Sequence, residues 1–312
     1  MFANRDRAII SPVMEALTLT GHSFAAFGLM LVRLTLSLVL FSAIFVPLER
    51  LFALHPQKVF RKNIASDLGY YFIIGLIPSL LLSSPLALFA WTAHALLPVG
   101  LTQAVAQWPL WQRVMVALVV EEIGYYWAHR WTHEVPLLWQ FHAIHHSAER
   151  MDWLVNTRVH PVDMVFTRLC GLAPLYAVGL ATPLAGTSNL VPVLVLLIGM
   201  LWGFFVHANL RWRFGPLEWL LATPAFHHWH HTNDGPDCVN KNYAAMFPWV
   251  DRMFGTLLLP RNRRPERYGI DAVLEPDLAG QLLRPFAVWQ RGAKLPVTPD
   301  SPPRPGPTSL ET

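Results

Sequence analysis

The chain has 312 residues, of which 53% are hydrophobic and only 14% are charged, whereas soluble domains carry about 25% charged residues. Its formal net charge of +4 comes from scattered basic residues, and without a long Lys/Arg run a nucleic-acid-binding surface is not indicated. The two cysteines form no CxxC pair, so neither a disulfide framework nor thiolate ligation of a metal is expected. The apolar excess lies in long runs, which is typical of a membrane protein.

Five apolar runs predict the membrane-associated part of the chain. Residues 25–47 are long enough to cross a bilayer, although Arg33 interrupts them. We expect residues 1–24 before them to form a short amphipathic or irregular lead-in. Residues 69–98 exceed the length of one crossing and contain internal prolines, which favours a kinked or tilted helix with an interfacial end. The third run is 108–128. The last two runs, 164–181 and 189–206, predict a hairpin in the bilayer.

The spacing of these runs predicts an all-α integral membrane protein with four to five transmembrane or re-entrant helices. Residues 1–109 would hold the N-terminal membrane helices and 110–275 the catalytic domain. Residues 276–312 would form a helical remnant and a disordered tail, because the end of the chain is rich in proline.

The distribution of basic residues predicts the orientation in the membrane. Lys and Arg occur in the polar connections 48–67, 129–163 and 207–275, but not in those at 99–107 and 182–189. The positive-inside rule therefore places the three basic connections, as a histidine-rich cap, on the cytoplasmic side. The compact length and the absence of an endoplasmic-reticulum retention signal favour a bacterial inner membrane.

Eleven of the 14 histidines lie between residues 129 and 231, and most belong to three short motifs. HRWTH places two histidines at i and i+4, and HAIHH and HHWHH each place three at i, i+3 and i+4. Because such residues share one face of a helix, each motif is expected to direct its imidazoles to one place. These eight histidines are His129, His133, His142, His145, His146, His227, His230 and His231.

So many imidazoles on a few helix faces indicate a metal site, since unpaired buried polar groups are costly and imidazole is the commonest metal ligand. Zinc usually takes four ligands, so eight are too many for one zinc ion and about enough for two six-coordinate ions. A nitrogen shell suits iron, copper or zinc. No histidine motif contains the glutamate of the metalloprotease motif HExxH. A membrane zinc hydrolase and a non-catalytic protein with structural metal stay open as alternatives.

The order of HxxxH, HxxHH and a later HxxHH between apolar hairpins resembles the membrane fatty acid hydroxylase and sterol desaturase superfamily. The resemblance covers about 110–256 and extends to NKNYAAMFPWVDRMFGT at 240–256. It implies a non-haem di-iron oxygenase that uses O2 and two external electrons to hydroxylate or desaturate a C–H bond of a lipid or sterol-like substrate. Two iron ions are the implied cofactors, with zinc as a substitute. A separate electron donor similar to cytochrome b5, a ferredoxin or a reductase is also implied.

Carried over by position, the resemblance assigns the eight histidines as metal ligands and His207 as a ninth, with no further catalytic or cofactor-binding residue. Longer lipid hydroxylases have another histidine four residues later, where this chain has Arg211. Either the site lacks one ligand, or Arg211 positions an anionic head group.

Four other residues are candidates for positions around the metals. Glu121 and Glu122 either support metal-bound histidines or form a pair that lies at the membrane interface or faces the helix bundle. His160 either supports the ligands or packs at the turn before Pro161. We expect His228 not to be a ligand, because its neighbours complete the helix face without it.

Overall fold

The computed structural model describes residues 3–181 and 189–290, with only the backbone described at 3–23, 78–80 and 289–290. Within these ranges the regular secondary structure is helical, apart from isolated bridges between single residues, so the prediction of a mostly helical protein is confirmed. Short 3-10 helices cover Trp153–Thr157 and Gly215–Trp219. The α-helices are α1 (Ala3–Phe52), α2 (Ile64–Leu96), α3 (Val99–Ala106), α4 (Leu110–Glu134), α5 (Pro136–His146), α6 (Pro161–Ala177), α7 (Val191–His207), α8 (Pro224–His230), α9 (Pro248–Phe254) and α10 (Leu278–Gln290).

Among the described residues, two helices are long and apolar enough to cross a membrane, over Phe24–Phe52 in α1 and Ile64–Leu96 in α2. Side chains along both are exposed, such as Leu36 at 63% and Trp91 at 68%. Apolar surface left uncovered along a whole helix fits contact with lipid. The total number of spans stays a prediction.

The chain divides into two compact units, residues 1–47 and residues 48–312. In the first unit the lead-in expected over 1–24 is helical from Ala3 onward. In the second unit the helical remnant expected beyond 276 is present as α10. The turn of the predicted hairpin at 182–188 and the proline-rich tail at 291–312 lie outside the described residues. The three predicted domains stay predictions.

The close approach of α4 to α6 lies at the centre of the second unit. A Cβ atom on Gly124 would run into the backbone carbonyl of Cys170, and one on Gly171 would lie 2.8 Å from Glu121 Oε1. Small residues at such crossings allow two helix backbones to approach. Helix α2 packs on α6, and both α5 and α7 pack on α4. At the C-terminal end of α4, the ring centroid of His129 lies 4.9 Å from that of His142 in α5 and 4.4 Å from that of His230 in α8.

Buried ion pairs fix the C-terminal end of α5. Arg158 donates to Asp67 Oδ1 at 2.7 Å and to the carbonyl oxygen of Ile144 at 3.2 Å. Arg61 pairs with the other oxygen of Asp67 at 2.7 Å, and Gln281 of α10 accepts a further bond from Arg158 at 3.1 Å. The network ties α2, α5 and α10 together, so the end of α5 has a defined position.

Candidate metal centre

All nine histidines that the sequence suggests as ligands are buried and come together in two groups. Helices α4, α5 and α8 supply most of them, and the ends of α7 and α8 add the rest. Within each group, one nitrogen from every ring lies within 4.8 Å of the others. The first group contains His129, His133, His142, His146 and His230, and the second contains His145, His207, His227 and His231.

Each HxxHH motif contributes to both groups, which differs from the expectation that a motif directs its three imidazoles to one place. The histidines at i and i+4 join one group, and the histidine at i+3 joins the other. Successive residues on a helix differ by about 100° in direction, so i+3 and i+4 point to either side of i. The groups are adjacent, because the ring centroids of His146 and His231 are 4.5 Å apart.

The short segment Asn240–Tyr243 holds three rings of the first group from one side. His129 Nδ1 lies 2.7 Å from the carbonyl oxygen of Tyr243, and His230 Nδ1 lies 2.9 Å from that of Lys241. His133 Nδ1 lies 3.3 Å from Asn240 Oδ1. Both asparagines of the segment have positive φ, 58° and 59°, a conformation that asparagine adopts more readily than most residues. The sequence NKNY therefore bends the backbone so that its oxygens face the histidines.

Three further Nδ1 atoms have oxygen acceptors elsewhere. His142 Nδ1 donates to Asp163 Oδ2 at 2.8 Å. In the second group, His207 donates to its own helix at Gly203 O, at 2.7 Å, and His145 donates to Arg158 O at 3.3 Å. A neutral imidazole carries one N–H. Donation from Nδ1 therefore leaves the lone pair on Nε2, which is the usual arrangement of a metal-binding histidine.

The Nε2 atoms are placed to bind a metal rather than to form hydrogen bonds with each other. His129 Nε2 lies 3.2 Å from His142 Nε2, and His207 Nε2 lies 3.2 Å from His145 Nε2. Since all four rings donate from Nδ1, lone pairs face each other at these distances and repel unless a cation binds them. The Nε2 atoms of His133, His146 and His230 are buried with no hydrogen-bond partner. A buried donor set made of neutral imidazoles suits a transition metal such as iron, copper or zinc.

The histidines are also held in the protonation state that a metal requires. Burial lowers the pKa of His145, His146 and His231 well below the usual value, and the neighbouring histidines lower it further. A protonated imidazole cannot bind a metal. The site therefore stays competent for ligation well below neutral pH.

The two glutamates proposed to support the ligands make their contacts elsewhere. Glu122 accepts hydrogen bonds from the backbone N–H groups of Met246 at 3.1 Å and Phe247 at 3.2 Å. Glu121 lies against Gly171 at the crossing of α4 and α6. The carboxylate that contacts a histidine of the centre is instead Asp163, which the sequence analysis missed. Asp163 is the last residue of the sequence RVHPVD at 158–163 and stands in the first turn of α6.

The other candidate residues lie outside both groups. His160 caps α6, accepting from Val162 N at 3.1 Å and donating to Leu282 O at 3.1 Å. His228 donates to Ala208 O at 3.1 Å and contacts the hydroxyl of Tyr268 at 3.2 Å. Arg211 is exposed, with its guanidinium 6.0 Å from the ring of Phe52.

Asp251 shapes the segment that holds the first group. Its carboxylate accepts from Tyr243 N at 2.8 Å and from Ala244 N at 2.9 Å. The hydroxyl of Thr256 adds a third bond at 2.7 Å. These bonds fix the direction of the Tyr243 carbonyl that faces His129.

Nine buried histidines in two adjacent groups at the ends of apolar helices define a candidate dinuclear metal centre. Residues 114–256 match the profile of the fatty acid hydroxylase family, and all nine histidines lie within them. The match to that family therefore lies in the segment that holds the candidate metal centre.

The chain is similar to several curated lipid enzymes. It is 35% identical over 182 residues to an ornithine lipid hydroxylase of Rhizobium tropici, covering 58% of this chain and 52% of the relative. It is 34% identical over 153 residues to an alkylglycerol monooxygenase of Danio rerio, covering 48% and 30%. A very-long-chain aldehyde decarbonylase of Oryza sativa subsp. indica is 29% identical over 164 residues, covering 48% and 25%. The chain thus spans about half the length of these relatives or less. No solved structure matches it significantly.

Proposed function

We propose that this chain is a membrane-bound, non-haem di-iron oxygenase that hydroxylates a C–H bond of a lipid with O2 and two external electrons. The observation that carries the proposal is the arrangement of nine buried histidines in adjacent groups of five and four. Two neighbouring nitrogen-rich sites suit a pair of redox-active ions. The similarity to a lipid hydroxylase and a lipid monooxygenase supports hydroxylation as the reaction.

The residues of the two groups would each have a defined task. The five histidines of the first group would together hold one iron ion through their Nε2 atoms, and the four of the second group would hold the other. When bound, the iron pair would supply the activation of O2 and the oxidation of an unactivated carbon. The protein groups behind the rings, Asp163, Asn240 and the backbone carbonyls of Lys241 and Tyr243, would hold the imidazoles in the orientation that ligation needs.

The apolar surroundings support a lipid as the substrate. Helices α1 and α2 expose apolar side chains along spans long enough for a bilayer. A lipid could then approach within the membrane, with its acyl chain in the apolar layer and its polar head at the interface. The distribution of basic residues in the connections supports placing the histidines on the cytoplasmic side of the membrane, which we propose to be a bacterial inner membrane.

The required electrons would come from a separate donor, similar to cytochrome b5, a ferredoxin or a reductase. The matched segment 114–256 contains the histidine motifs and the helices that carry them. The donor would bind this chain on the cytoplasmic side, where we place the histidines.

The metal content of the detergent-purified protein from iron-supplemented cells tests the proposal. About two irons per chain are expected. The variant His230→Ala removes a ligand from the first group and His145→Ala removes one from the second, so each variant should lose iron. His94→Ala is the matched control, because His94 is an exposed histidine of α2 outside both groups. The rate of lipid oxidation, measured with O2 and a reductant, should vary with the iron content of the variants.

The alternatives give different results in the same experiment. One tightly bound zinc ion with no iron would favour a zinc-dependent hydrolase. Two irons with no lipid oxidation would favour a non-catalytic metal protein. A product with a new double bond would identify desaturation, which begins with the same hydrogen abstraction as hydroxylation.

A further inference from the structure

A cluster of apolar side chains is exposed on the segment that follows α7. Trp219 and Leu220, at the end of the second 3-10 helix, are 41% and 55% exposed, and Leu217 is 45% exposed. Phe214 precedes them at 37%, and Met253 on the adjoining helix α9 is 57% exposed. We call residues 211–220 together with Met253 the interfacial patch. Single exposed apolar residues are common, but a contiguous group indicates a surface that another apolar phase covers.

The exposed charges of the interfacial patch are positive. Arg211 and Arg213 belong to the segment, and Arg252 lies beside it with its guanidinium 5.5 Å from the ring of Trp219. All three arginines are exposed. The acid in the segment, Glu218, is 2% exposed and accepts from Phe214 N at 2.9 Å and Arg213 Nε at 3.2 Å. Arg213 is thus paired with a buried carboxylate, and the two other exposed arginines, Arg211 and Arg252, carry the positive charge that favours an anionic partner.

The interfacial patch begins where two apolar helices end. Helix α7 ends at His207, and the candidate span in α1 ends at Phe52. The backbone N–H of Arg211 donates to Phe52 O at 2.9 Å, and that of Leu54 donates to Asn209 O at 3.2 Å. The start of the patch is therefore fixed at the end of a candidate membrane span. Lipid head groups lie at this level, where aromatic and basic residues are favoured.

We propose that the interfacial patch lies in the head-group layer of the bilayer and binds anionic lipid. Its apolar side chains enter the boundary between head groups and acyl chains, and its arginines contact lipid phosphates. A segment held in this way fixes the tilt and depth of the adjoining helices α7 and α9 relative to the bilayer. The proposal depends on the membrane placement of the chain and not on its metal or its reaction.

The depth of Leu220 in a membrane tests the proposal directly. A spin label on Leu220→Cys, in a background with both native cysteines replaced by alanine, is measured in nanodiscs of phosphatidylcholine with or without phosphatidylglycerol. Collision of the label with O2 reports the apolar phase, and collision with a water-soluble nickel chelate reports the aqueous phase. Glu149→Cys is the matched control, because Glu149 is exposed in the polar turn after α5. We expect several-fold less nickel collision at position 220 than at 149, and more oxygen collision.

The charge of the lipid separates the two parts of the proposal. Phosphatidylglycerol should lower nickel access at position 220, and the double variant Arg211→Gln/Arg252→Gln should abolish this difference. Equal nickel access at 220 and 149 would overturn membrane contact. Protection from both reagents would overturn it in favour of a protein partner or a second copy of the chain. Membrane contact that does not change with the charge of the lipid would overturn the proposal that the patch binds anionic lipid. None of these outcomes depends on bound iron.

Discussion

His142 Nδ1 donates a hydrogen bond of 2.8 Å to Asp163 Oδ2, and both side chains are buried. The other carboxylate oxygen of Asp163 is buried without a partner. Burial raises the pKa of Asp163 to about 7, so the carboxylate is only half ionised near neutral pH unless positive charge lies close by. A metal ion on the opposite nitrogen of His142 would supply that charge, and the ionised carboxylate would in turn make the imidazole a stronger ligand.

Asp163→Asn should therefore weaken metal binding without removing a ligand. The amide keeps the size of the side chain and one acceptor oxygen but loses the negative charge. We expect metal affinity to fall by about 10–100-fold, measured by competition with a chelator of known affinity. Glu134→Gln, which neutralises a carboxylate at the exposed end of α4, is the control and should bind metal normally. Unchanged affinity in Asp163→Asn would show that the charge has no part in the site.

The two histidine groups should also take up metal in order. In the first group, four of the five Nδ1 atoms have oxygen acceptors, so their Nε2 lone pairs are ready for a metal. In the second group, the Nδ1 atoms of His227 and His231 are buried without partners. Without metal, either ring can instead donate from Nε2 to His207 Nε2, at 3.0 and 3.2 Å. Metal binding must break these bonds and leave buried N–H groups unpaired, which is costly.

Titration of the metal-free protein with Co²⁺, followed by absorption, should show two phases. His142→Ala should remove the tighter phase and His227→Ala the weaker one, while His94→Ala should retain both. Loss of both phases together in either ligand variant would indicate a single cooperative site and contradict the order.

The histidine faces could be predicted from the sequence because the spacing i, i+3, i+4 is a local property of a helix. Their division between two groups could not, since it depends on how α5 and α8 face each other across α4. Asp163 lies 21 residues from His142, and no spacing rule links them. The carbonyls of Lys241 and Tyr243 carry no side-chain signature, because every residue offers the same acceptor. The apolar runs were predictable, but the helix bounds were not, because α1 extends back to Ala3 and α3 covers the connection expected at 99–107. The number of spans depends on a bilayer that the sequence only implies.

The crossing of α4 and α6 should not tolerate even a methyl group at Gly124. Its Cβ atom would meet the backbone carbonyl of Cys170, and a backbone atom cannot move aside as a side chain can. Gly124→Ala should lower the free energy of unfolding by about 1–3 kcal/mol and shift His129, which is on the same helix. Gly199→Ala is the matched control, because nothing lies within 4 Å of its Cβ position, and alanine there should be neutral or stabilising. Thermal unfolding in detergent measures both, and equal melting temperatures would contradict the close crossing.

Arg158 should be far more important for stability than the partly exposed Arg130. Arg158→Met leaves Asp67 with one of its two arginine partners and removes the bonds to Ile144 and Gln281. Losing one partner of a buried pair typically costs about 3–5 kcal/mol. Arg130→Met removes an exposed pair with Glu134, a contact expected to contribute about 0–1 kcal/mol. Thermal unfolding of both variants tests the contrast, and a similar small loss in each would show that the buried network does not stabilise the end of α5.

The carboxylate of Asp251 should give the protein a stability component that decreases as pH rises. Burial raises the pKa of Asp251 from 3.8 to about 6, although hydrogen bonds from Thr256 and from the backbone of Ala244 and Tyr243 lower it. Because the folded pKa is the higher one, the folded protein binds more protons than the unfolded chain between these values. The contribution is therefore fully present below pH 3.8 and is lost as pH rises through 6. Asp251→Asn has no such titration.

The stability difference between the wild-type protein and Asp251→Asn should consequently narrow by about 1 kcal/mol between pH 5 and pH 7.5. The wild-type protein should be the more stable one at pH 5, because both oxygens of a protonated carboxyl can still accept from the three donors, whereas the amide NH2 of asparagine cannot accept. Asp237→Asn, at an exposed carboxylate, should differ from the wild-type protein by the same amount at both pH values. Melting temperatures of the three proteins at each pH measure the effect. A difference that widens with pH would mean that Asp251 is ionised at a lower pH than its burial implies, and that its three hydrogen bonds outweigh the loss of solvent.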